Sequence, residues 1–339
     1  MKDFMNQYLN QISFGEPQEK DNLILVPVFL NKERAPRDYL LLDEALDIES
    51  IQVGEVSEGG SVNDLLVKNS GSKAVLILDG EELVGAKQNR MVNATILIQP
   101  ESKVTIPVSC VEHGRWSYQG ANFKRSEVFA YAELRRKKTN AVSRNLESNM
   151  SFASDQGEVW DEIDRKHDRM GTSSHTEAVH DVYKSYDEQL KEFIEGLNYT
   201  EEQLGVGVFI NGSFICMDLF AHHDVLSHLW QKLIKSYAME ALELKGEKKG
   251  RKKEAQSLEP IITDLINAEV SDFQSIGLGR DVRMKTTRFL AAGLVYEKNV
   301  LHLVSFQGEE QDSNNREARN SKFEGNMRRP GLRRDNIIY

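Results

Sequence analysis

The sequence predicts an α+β fold in which an N-terminal antiparallel β-sandwich or barrel is followed by an α+β domain with long amphipathic helices. Between residues 22 and 110, short β-rich runs such as LILVPVFL and AVLILDG are separated by Gly, Asn, Ser and Pro. These intervals are typical of antiparallel strands, which bury one face and turn tightly. After residue 171, apolar residues instead recur every three or four positions, which is the spacing of one helical face.

Changes in composition divide the 339 residues into four predicted segments. Residues 1–120 form the β-rich domain, with one short helix expected at LLDEALDI. Residues 121–170 are rich in Arg, Lys, Asn, Ser and Asp, and we expect a polar, partly helical connector. Residues 171–306 form the α+β domain. The last segment, residues 307–339, is polar and partly basic, and its composition favours disorder.

Local signals place the first elements of the α+β domain. Ser174 and Glu177 have the spacing of a capping box, and the apolar stripe from Val179 to Leu197 predicts one amphipathic helix. The run VGVFINGSFICMDLF predicts a hairpin, because the Asn-Gly pair at its centre favours the positive φ angles of a type I′ turn.

Three further elements complete this domain. Asp224 is expected to cap a second helix, whose apolar stripe runs from Leu226 to Leu242. A third helix is expected at residues 258–270. The runs VRMKTTRFLAAGLVY and VLHLVSF then predict strands.

The charge balance limits the partners of the protein. Asp and Glu number 53, and Lys and Arg number 43, which gives a net charge of -10 and a pI near 5.4. An acidic protein does not broadly attract nucleic-acid phosphates, so the composition argues against nucleic acid as a partner. The basic run KGEKKGRKKE at residues 245–254 is interpreted as a solvated loop.

The sequence predicts a cytoplasmic protein without a membrane partner. Its first residues lack the basic and apolar regions of a signal peptide, and no apolar run approaches the roughly 20 residues of a membrane span. Cys110 and Cys216 are the two cysteines, which are too few for a disulfide framework. We expect both to be reduced thiols.

The densest polar stretch of the β-rich domain is the run DGEELVGAKQNR. It approaches the spelling of a P-loop, since Gly80 and Gly85 have the right spacing and Lys87 follows. It fails as one, because Ala86 separates glycine from lysine and Gln88 replaces the hydroxyl that binds magnesium. We interpret the stretch as a polar loop, with or without a ligand.

A second polar segment, CVEHGRW, follows the next apolar strand. Because side chains alternate along a strand, Cys110 and Glu112 continue its apolar face. A carboxylate on a buried face needs a cation, a donor or water, and Arg90 and Arg115 are the candidate partners. Such an ion pair is compatible with a structural role as well as with a ligand site. Cys110 is either a buried apolar side chain or a nucleophile assisted by His113.

Oxygen ligands for a divalent metal cofactor are also present. Asp79, Glu81 and Glu112 are able to hold a hard cation together with water, although no spacing requires it. His222 and His223 lie near acidic residues but lack the HxxxH spacing of a zinc site.

The runs LDGEELVGAKQNRMVNATILI and IPVSCVEHGRW resemble the signature of the ARG and Rhodanese-Phosphatase superfamily associated protein domain family, which is prokaryotic and largely uncharacterised. Weaker similarity continues to about Phe306. The matching positions are Gly80, Glu81, Gly85, Gln88, Asn89, Arg90, Cys110, Glu112, Gly114, Arg115 and Trp116. The resemblance implies gene neighbourhoods with ADP-ribosylglycohydrolase-like and phosphatase-like proteins, but no established reaction.

The residues and the resemblance together predict an enzyme or sensor for a nucleotide, ADP-ribose or NAD-derived ligand in a conflict or stress system. Arginines suit a phosphate because their planar fork matches its oxygens. The expected catalytic residues are Glu81, Glu112 and Cys110, and the expected ligand-binding residues are Gln88, Asn89, Arg90, Arg115 and Trp116. One alternative is a non-enzymatic interaction or assembly module, with a homo-oligomer or a protein partner. Another is nucleic-acid binding through the basic run and the tail.

Overall fold

The structure is a computed structural model that describes residues 1–31, 36–57, 59, 61–115, 120, 122–246 and 257–308. Its helices are α1 Lys2–Leu9, α2 Leu42–Asp47, α3 Ala132–Asn149, α4 Gln156–Met170, α5 Val179–Ser185, α6 Asp187–Ile194, α7 His223–Glu243 and α8 Glu259–Ile266. Trp116, most of the basic run and the tail beyond residue 308 lie outside the described residues.

The strands of the first half are β1 Ile12–Phe14, β2 Gln18–Lys20, β3 Leu23–Leu30, β4 Tyr39–Leu41, β5 Ile51–Glu55, β6 Asp64–Asn69, β7 Ala74–Ile77, β8 Glu81–Gly85, β9 Arg90–Val92, β10 Ile96–Ile98, β11 Ser102–Cys110 and β12 Phe123–Phe129. Those of the second half are β13 Gly205–Ile210, β14 Ser213–Phe220, β15 Glu269–Gln274, β16 Arg280–Lys285, β17 Phe289–Tyr296 and β18 Asn299–Gln307.

The strands form three sheets. The largest has the order β1-β3-β13-β14-β18-β17-β16-β15, and β2 also pairs with β3. A three-stranded sheet has the order β10-β7-β4, and a six-stranded sheet has the order β12-β8-β9-β11-β6-β5. Strand β4 runs parallel to β7, whereas the other named pairs are antiparallel. Helices beside antiparallel sheets confirm the predicted α+β class.

The N-terminal strand-rich region is confirmed, and it contains a sheet that is curled into a half-barrel. The two smaller sheets share one apolar cluster. Val75 and Ile96 enter it from the three-stranded sheet, and Val67, Leu83 and Ile106 enter it from the six-stranded sheet. The short helix predicted at LLDEALDI is α2.

The large sheet is covered on both faces, which explains why β3 is apolar without interruption. Leu23 and Leu25 pack in the cluster that includes α7, while Ile24 and Val26 pack in the cluster that includes α1 and α8. A continuous apolar run is typical of a strand buried on both faces. Strand β3 pairs with β13, so this early segment shares a sheet with the C-terminal strands. The division into segments at residue 120 stays a prediction.

The predicted hairpin is confirmed. Strands β13 and β14 are joined by Asn211 and Gly212, whose φ angles are 51° and 84°. Both values lie in the left-handed region that a type I′ turn requires at its two central positions.

The single helix predicted from Val179 to Leu197 is wrong, because the chain forms α5 and α6 instead. Tyr186 separates them with a φ of -115°, and its hydroxyl donates to Met170 O at 2.6 Å. Leu190 and Phe193, which follow the break, are buried in the same core, so the apolar spacing in the sequence continues although the helix does not.

The two predicted helix caps are also wrong. Ser174 does not cap α5, because the N-cap of this helix is Ala178. The Ser174 hydroxyl instead accepts a hydrogen bond from Ala178 N at 3.3 Å and donates one to Asp181. Asp224 does not cap α7 either. The N-cap of this helix is His222, and Asp224 lies inside its first turn. Asp224 accepts a hydrogen bond from Arg37 Nε at 2.8 Å, so the carboxylate serves an ion pair rather than the helix end.

The polar run DGEELVGAKQNR is more ordered than a loop. Its middle forms β8, its last residue starts β9, and only residues 86–89 connect them. Among the described residues, no helix is long and apolar enough to span a membrane.

Candidate functional site

The two polar segments of the sequence meet because β9 and β11 are neighbours. Cys110 lies opposite Arg90 in this antiparallel pair. Beyond the strand, Val111 N donates to Asn89 O at 3.1 Å, so the chain leaving β11 runs beside residues 86–89. Strand pairing therefore fixes the position of one segment against the other.

Six of the predicted site residues form one hydrogen-bonded group, which we call the arginine centre. Its members are Gln88, Asn89, Arg90, Cys110, Glu112 and Arg115. Each residue is at most 8% exposed. Interactions between charged groups are stronger here than at the surface, because water screens them less.

Glu112 and Arg115 form the core of the arginine centre. Arg115 donates through Nε to Oε1 at 2.8 Å and through Nη2 to Oε2 at 2.6 Å, which is a bidentate ion pair. Asn89 N also donates to Glu112 Oε2 at 3.0 Å, and Arg115 Nη1 donates to Ala86 O at 2.8 Å. Of the two arginines predicted to serve Glu112, it is therefore Arg115 that pairs with it directly.

Arg90 is the second cation of the arginine centre and is fully buried. Its guanidinium donates to Gln88 O at 3.0 Å, to Gln88 Oε1 at 3.3 Å and to Ser61 O at 3.2 Å. Burial lowers the pKa of Arg90 from its usual value; the negative charges of Glu55 and Glu112 oppose this effect, and the positive charge of Arg115 adds to it. Arg115 is thus one of several charged groups that act on the Arg90 guanidinium.

Cys110 acts as a hydrogen-bond donor in the arginine centre. Its Sγ lies 3.0 Å from Gln88 Oε1 and 3.0 Å from Glu112 O, and its single proton is donated to one of these two acceptors at a time. Burial raises the pKa of the Cys110 thiol, which favours the protonated form. Because the thiolate is the nucleophilic form, this environment favours a structural or binding role for the side chain. Cys110 and Cys216 are both free thiols.

Helix α4 closes the arginine centre on one side. The side-chain amide of Gln156 accepts from Cys110 N and donates to Cys110 O, both at 2.8 Å. It therefore pairs with the main chain at the end of β11 as a neighbouring strand would. One turn later, Trp160 stacks on His113 with ring centroids 4.2 Å apart. His113 is half exposed and lies 2.9 Å from Glu177. This stacked pair is therefore the part of the site nearest to solvent.

Asp79 does not join the arginine centre. It belongs to a second buried group, which we call the aspartate hub and which consists of Asp79, Thr95, Arg135, Lys138, Asp218, Tyr237 and His302. Lys138 donates to Asp79, and burial lowers the pKa of Lys138 to about 8.

Asp218 holds the aspartate hub together. Arg135 donates to both of its oxygens, at 3.0 and 2.6 Å, and Tyr237 donates to it at 2.6 Å. Burial alone would raise the pKa of Asp218, but Arg135 and His302 lower it well below its usual range. The hub joins α3 to the large sheet, which favours a structural role.

Glu81 lies apart from both groups. Its carboxylate accepts from Leu78 N at 2.7 Å. Burial, followed by the negative charge of Asp43, raises the pKa of Glu81 to about 7. A carboxylate with this pKa exchanges protons near neutral pH, yet Glu81 shares no hydrogen-bond partner with Glu112 in the described part of the chain.

The structure does not bring the three predicted metal ligands together. Asp79 pairs with Lys138, Glu112 pairs with Arg115, and Glu81 accepts from the main chain. Across the described ranges, no cluster of three or more His, Cys, Asp or Glu side chains is arranged to hold a metal ion. His223 lies 3.7 Å from Glu202, and the neighbouring His222 contacts the ring of Tyr39.

Sequence reasoning missed Gln156, Trp160 and Ser61 as neighbours of the arginine centre. The segment QGEVW carried a weak signal, since its glutamine and tryptophan are one helical turn apart and both reach the site. Trp116, predicted to stack on a base, lies outside the described residues.

Comparisons with known proteins give one match. A family model described as ARG and Rhodanese-Phosphatase-superfamily-associated Protein domain matches residues 11–306. No curated protein matches the chain, and no solved structure matches it.

Proposed function

The chain belongs to the ARG and Rhodanese-Phosphatase-superfamily-associated Protein domain family, and we propose that it binds an anionic nucleotide-derived ligand of the ADP-ribose or NAD class. The ligand places a phosphate at the arginine centre. The observation that carries the proposal is the convergence of Arg90 and Arg115 with Gln88 and Asn89 in one buried group. The conflict or stress setting rests on the resemblance alone.

Electrostatics support a phosphate at this place. Glu112 pairs directly with Arg115, while Arg90 feels the positive charge of Arg115 as well as the negative charges of Glu55 and Glu112. A phosphate near both guanidiniums reduces their repulsion and accepts several charge-assisted hydrogen bonds. The amides of Gln88 and Asn89 add donors that are able to orient the ligand.

The closed arrangement of the centre implies that binding requires movement. Its residues are at most 8% exposed, so a ligand enters only when residues 86–89 separate from the chain that follows β11. The stacked pair of His113 and Trp160 lies at the solvent side and is the natural place for opening to begin. Association should accordingly be slower than diffusion allows.

The geometry favours a sensor over a hydrolase. Glu112 is held bidentately by Arg115, so in this arrangement it positions a cation rather than a water molecule. Glu81 has a pKa near neutrality but lies outside the arginine centre. Binding coupled to a change of conformation therefore agrees better with these contacts than proton transfer does.

The direct test is calorimetric titration of the full chain with ADP-ribose and NAD, accompanied by thermal unfolding. Ligand at about one hundred times its dissociation constant should stabilise the protein by about 2.7 kcal/mol. Arg90→Lys keeps the charge but removes the planar fork, so ADP-ribose binding should weaken at least about tenfold. Arg144→Lys is the matched control, because Arg144 is half exposed and pairs with Glu158 at the surface.

Two outcomes contradict the proposal. The first is an unchanged melting temperature with ADP-ribose and NAD at millimolar concentrations. The second is an unaltered dissociation constant in Arg90→Lys, provided that circular dichroism shows the variant to be folded.

A second candidate function is a non-enzymatic assembly module in which the arginine centre is structural. The contacts of Arg115 favour it, since Glu112, Ala86 O and Asn89 Oδ1 already accept hydrogen bonds from its guanidinium. In that case Glu112→Gln unfolds the protein or dissociates an oligomer, which light scattering measures, and no ligand changes either result.

A further inference from the structure

A second candidate site is a cleft of about 410 Å³. Helix α1, the segment before β4, the turn before β7, the start of α7 and the turn between β17 and β18 surround it. We call it the tyrosine cleft, and none of the residues of the arginine centre lines it. A volume of this size suits a ligand of mononucleotide size, since small-molecule pockets begin at about 300 Å³.

The lining of the tyrosine cleft is partly aromatic. It contains Tyr8, Tyr39, Tyr296 and His222, and the rings of Tyr39 and His222 are 5.9 Å apart at an angle of 59°. The aliphatic side chains of Leu97, Leu278 and Leu301 add to the lining. Aromatic and aliphatic surfaces together bind a flat ring, because they bury its faces and stack against it.

The rim of the tyrosine cleft carries both signs of charge. Lys73 and Lys298 are exposed, and their amines form no hydrogen bond or ion pair with the other described residues. Asp38 and Glu297 lie at the same rim. Mainly through a hydrogen bond, Glu297 raises the pKa of Tyr296 above its usual value. Amines bind phosphate as point charges, and carboxylates accept from hydroxyl groups.

The turn between β17 and β18 shows an unusual choice of residues. Glu297 and Lys298 have φ angles of 46° and 62°, so two residues with a Cβ occupy left-handed positions in succession. The same sheet contains a turn of this kind at Asn211 and Gly212, which are the residues that tolerate it best. Strained backbone concentrates where side chains serve a function, and here both side chains border the cleft.

We propose that the tyrosine cleft is a binding site for a nucleoside monophosphate, separate from the arginine centre. The base lies against Tyr39 and Tyr296, Asp38 accepts from the ribose hydroxyls, and Lys73 and Lys298 bind the phosphate. The aromatic residues, the carboxylates and the amines of the lining thus match the base, the ribose and the phosphate of such a ligand in one cavity of fitting volume. This site goes beyond the proposed function, because either site is able to exist without the other.

The test is calorimetric titration of the full chain with AMP. Wild-type protein should bind it, and the double variant Lys73→Glu/Lys298→Glu should bind at least about tenfold more weakly. Both lysines are exposed, so the variant should fold. Lys103→Glu is the control, since Lys103 is exposed on β11 and does not line the cleft. Adenosine and inorganic phosphate, titrated separately, should each bind more weakly than AMP.

Several results overturn the inference. They are the absence of AMP binding to wild-type protein, unchanged binding by the double variant, and inorganic phosphate binding as tightly as AMP. Arg90→Lys separates this inference from the proposed function, because it should weaken ADP-ribose while leaving AMP unchanged. If Arg90→Lys weakens AMP and the lysine variant does not, AMP binds at the arginine centre and the cleft proposal is wrong.

Discussion

The arginine centre and the tyrosine cleft differ in where their polar groups find partners. In the arginine centre the charged and amide groups bind one another and are buried, as in the bidentate pair of Glu112 with Arg115. In the tyrosine cleft the amines of Lys73 and Lys298 face solvent beside a ready cavity. A ligand at the arginine centre would require that site to open, whereas the tyrosine cleft is lined by exposed groups.

A dense polar motif and an open pocket are therefore separate indications of a binding site. The motif residues lie close together because β9 pairs with β11, and their mutual hydrogen bonds stabilise that pairing. The cleft draws single residues from distant parts of the chain, such as Tyr8 and Tyr296. Removing a charge from the arginine centre should therefore lower stability strongly, whereas removing the amines at the tyrosine cleft should change mainly binding.

The largest expected effect is at the ion pair of the arginine centre. Glu112→Gln leaves Arg115 buried without its counter-charge and should lower the free energy of unfolding by about 3–5 kcal/mol. Chemical denaturation measures this loss, and the exposed Glu188→Gln provides the control. A loss under about 1 kcal/mol would mean that the pair contributes no more than an exposed salt bridge. The arginine centre would then not differ from the tyrosine cleft in how strongly its charged groups stabilise the fold.

The next largest effect on the free energy of unfolding is expected at Glu81, and it depends on pH. Burial raises its pKa from 4.5 to about 7, so the folded state holds the proton more tightly than the unfolded chain does. Stability should be greatest below the unfolded value and fall as pH rises towards 7, by roughly 3 kcal/mol at most. Glu81→Gln should therefore stabilise the protein at about pH 8 and much less at about pH 5.

Unfolding curves at both pH values measure the Glu81 effect. The exposed Glu195→Gln should show no such pH dependence. An equal effect of Glu81→Gln at both values would show that the carboxylate titrates normally in the folded protein.

The smallest effect is expected at the strained turn of the tyrosine cleft. Glu297→Asn/Lys298→Gly restores the residues that suit a type I′ turn and should raise the free energy of unfolding by about 1–2 kcal/mol. The same variant should weaken AMP binding, because it removes Lys298 from the rim. Chemical denaturation and calorimetric titration with AMP of the same preparation measure both effects. A free energy of unfolding below that of the wild type would show that the turn is not strained.

Local chemistry explains which parts of the fold the sequence predicted. The Asn211-Gly212 hairpin and α2 follow from short-range patterns, and the α+β class follows from periodicity. The break at Tyr186 was missed because the apolar spacing continues across it. Periodicity reports which residues face the core, and it does not report whether the backbone between them is continuous.

The candidate site was predictable only where strand pairing connects nearby segments. Alternation along the strand put Cys110 and Glu112 on one face and made Arg90 and Arg115 candidate partners of Glu112; Cys110 meets Arg90, 20 positions away, because β9 pairs with β11. Arg135 and Asp218 are 83 positions apart, and their ion pair depends on how α3 packs on the large sheet. No local pattern specifies such packing, and the tyrosine cleft was missed for the same reason.

The most direct measurement for the proposed function is hydrogen–deuterium exchange of the full chain with and without ADP-ribose. The ligand should slow amide exchange in residues 85–90 and 110–115, because it holds together segments that must open to admit it. AMP should instead slow exchange in residues 296–301 near the tyrosine cleft. If ADP-ribose binds by calorimetry and leaves exchange in 85–90 and 110–115 unchanged, the arginine centre is not its site.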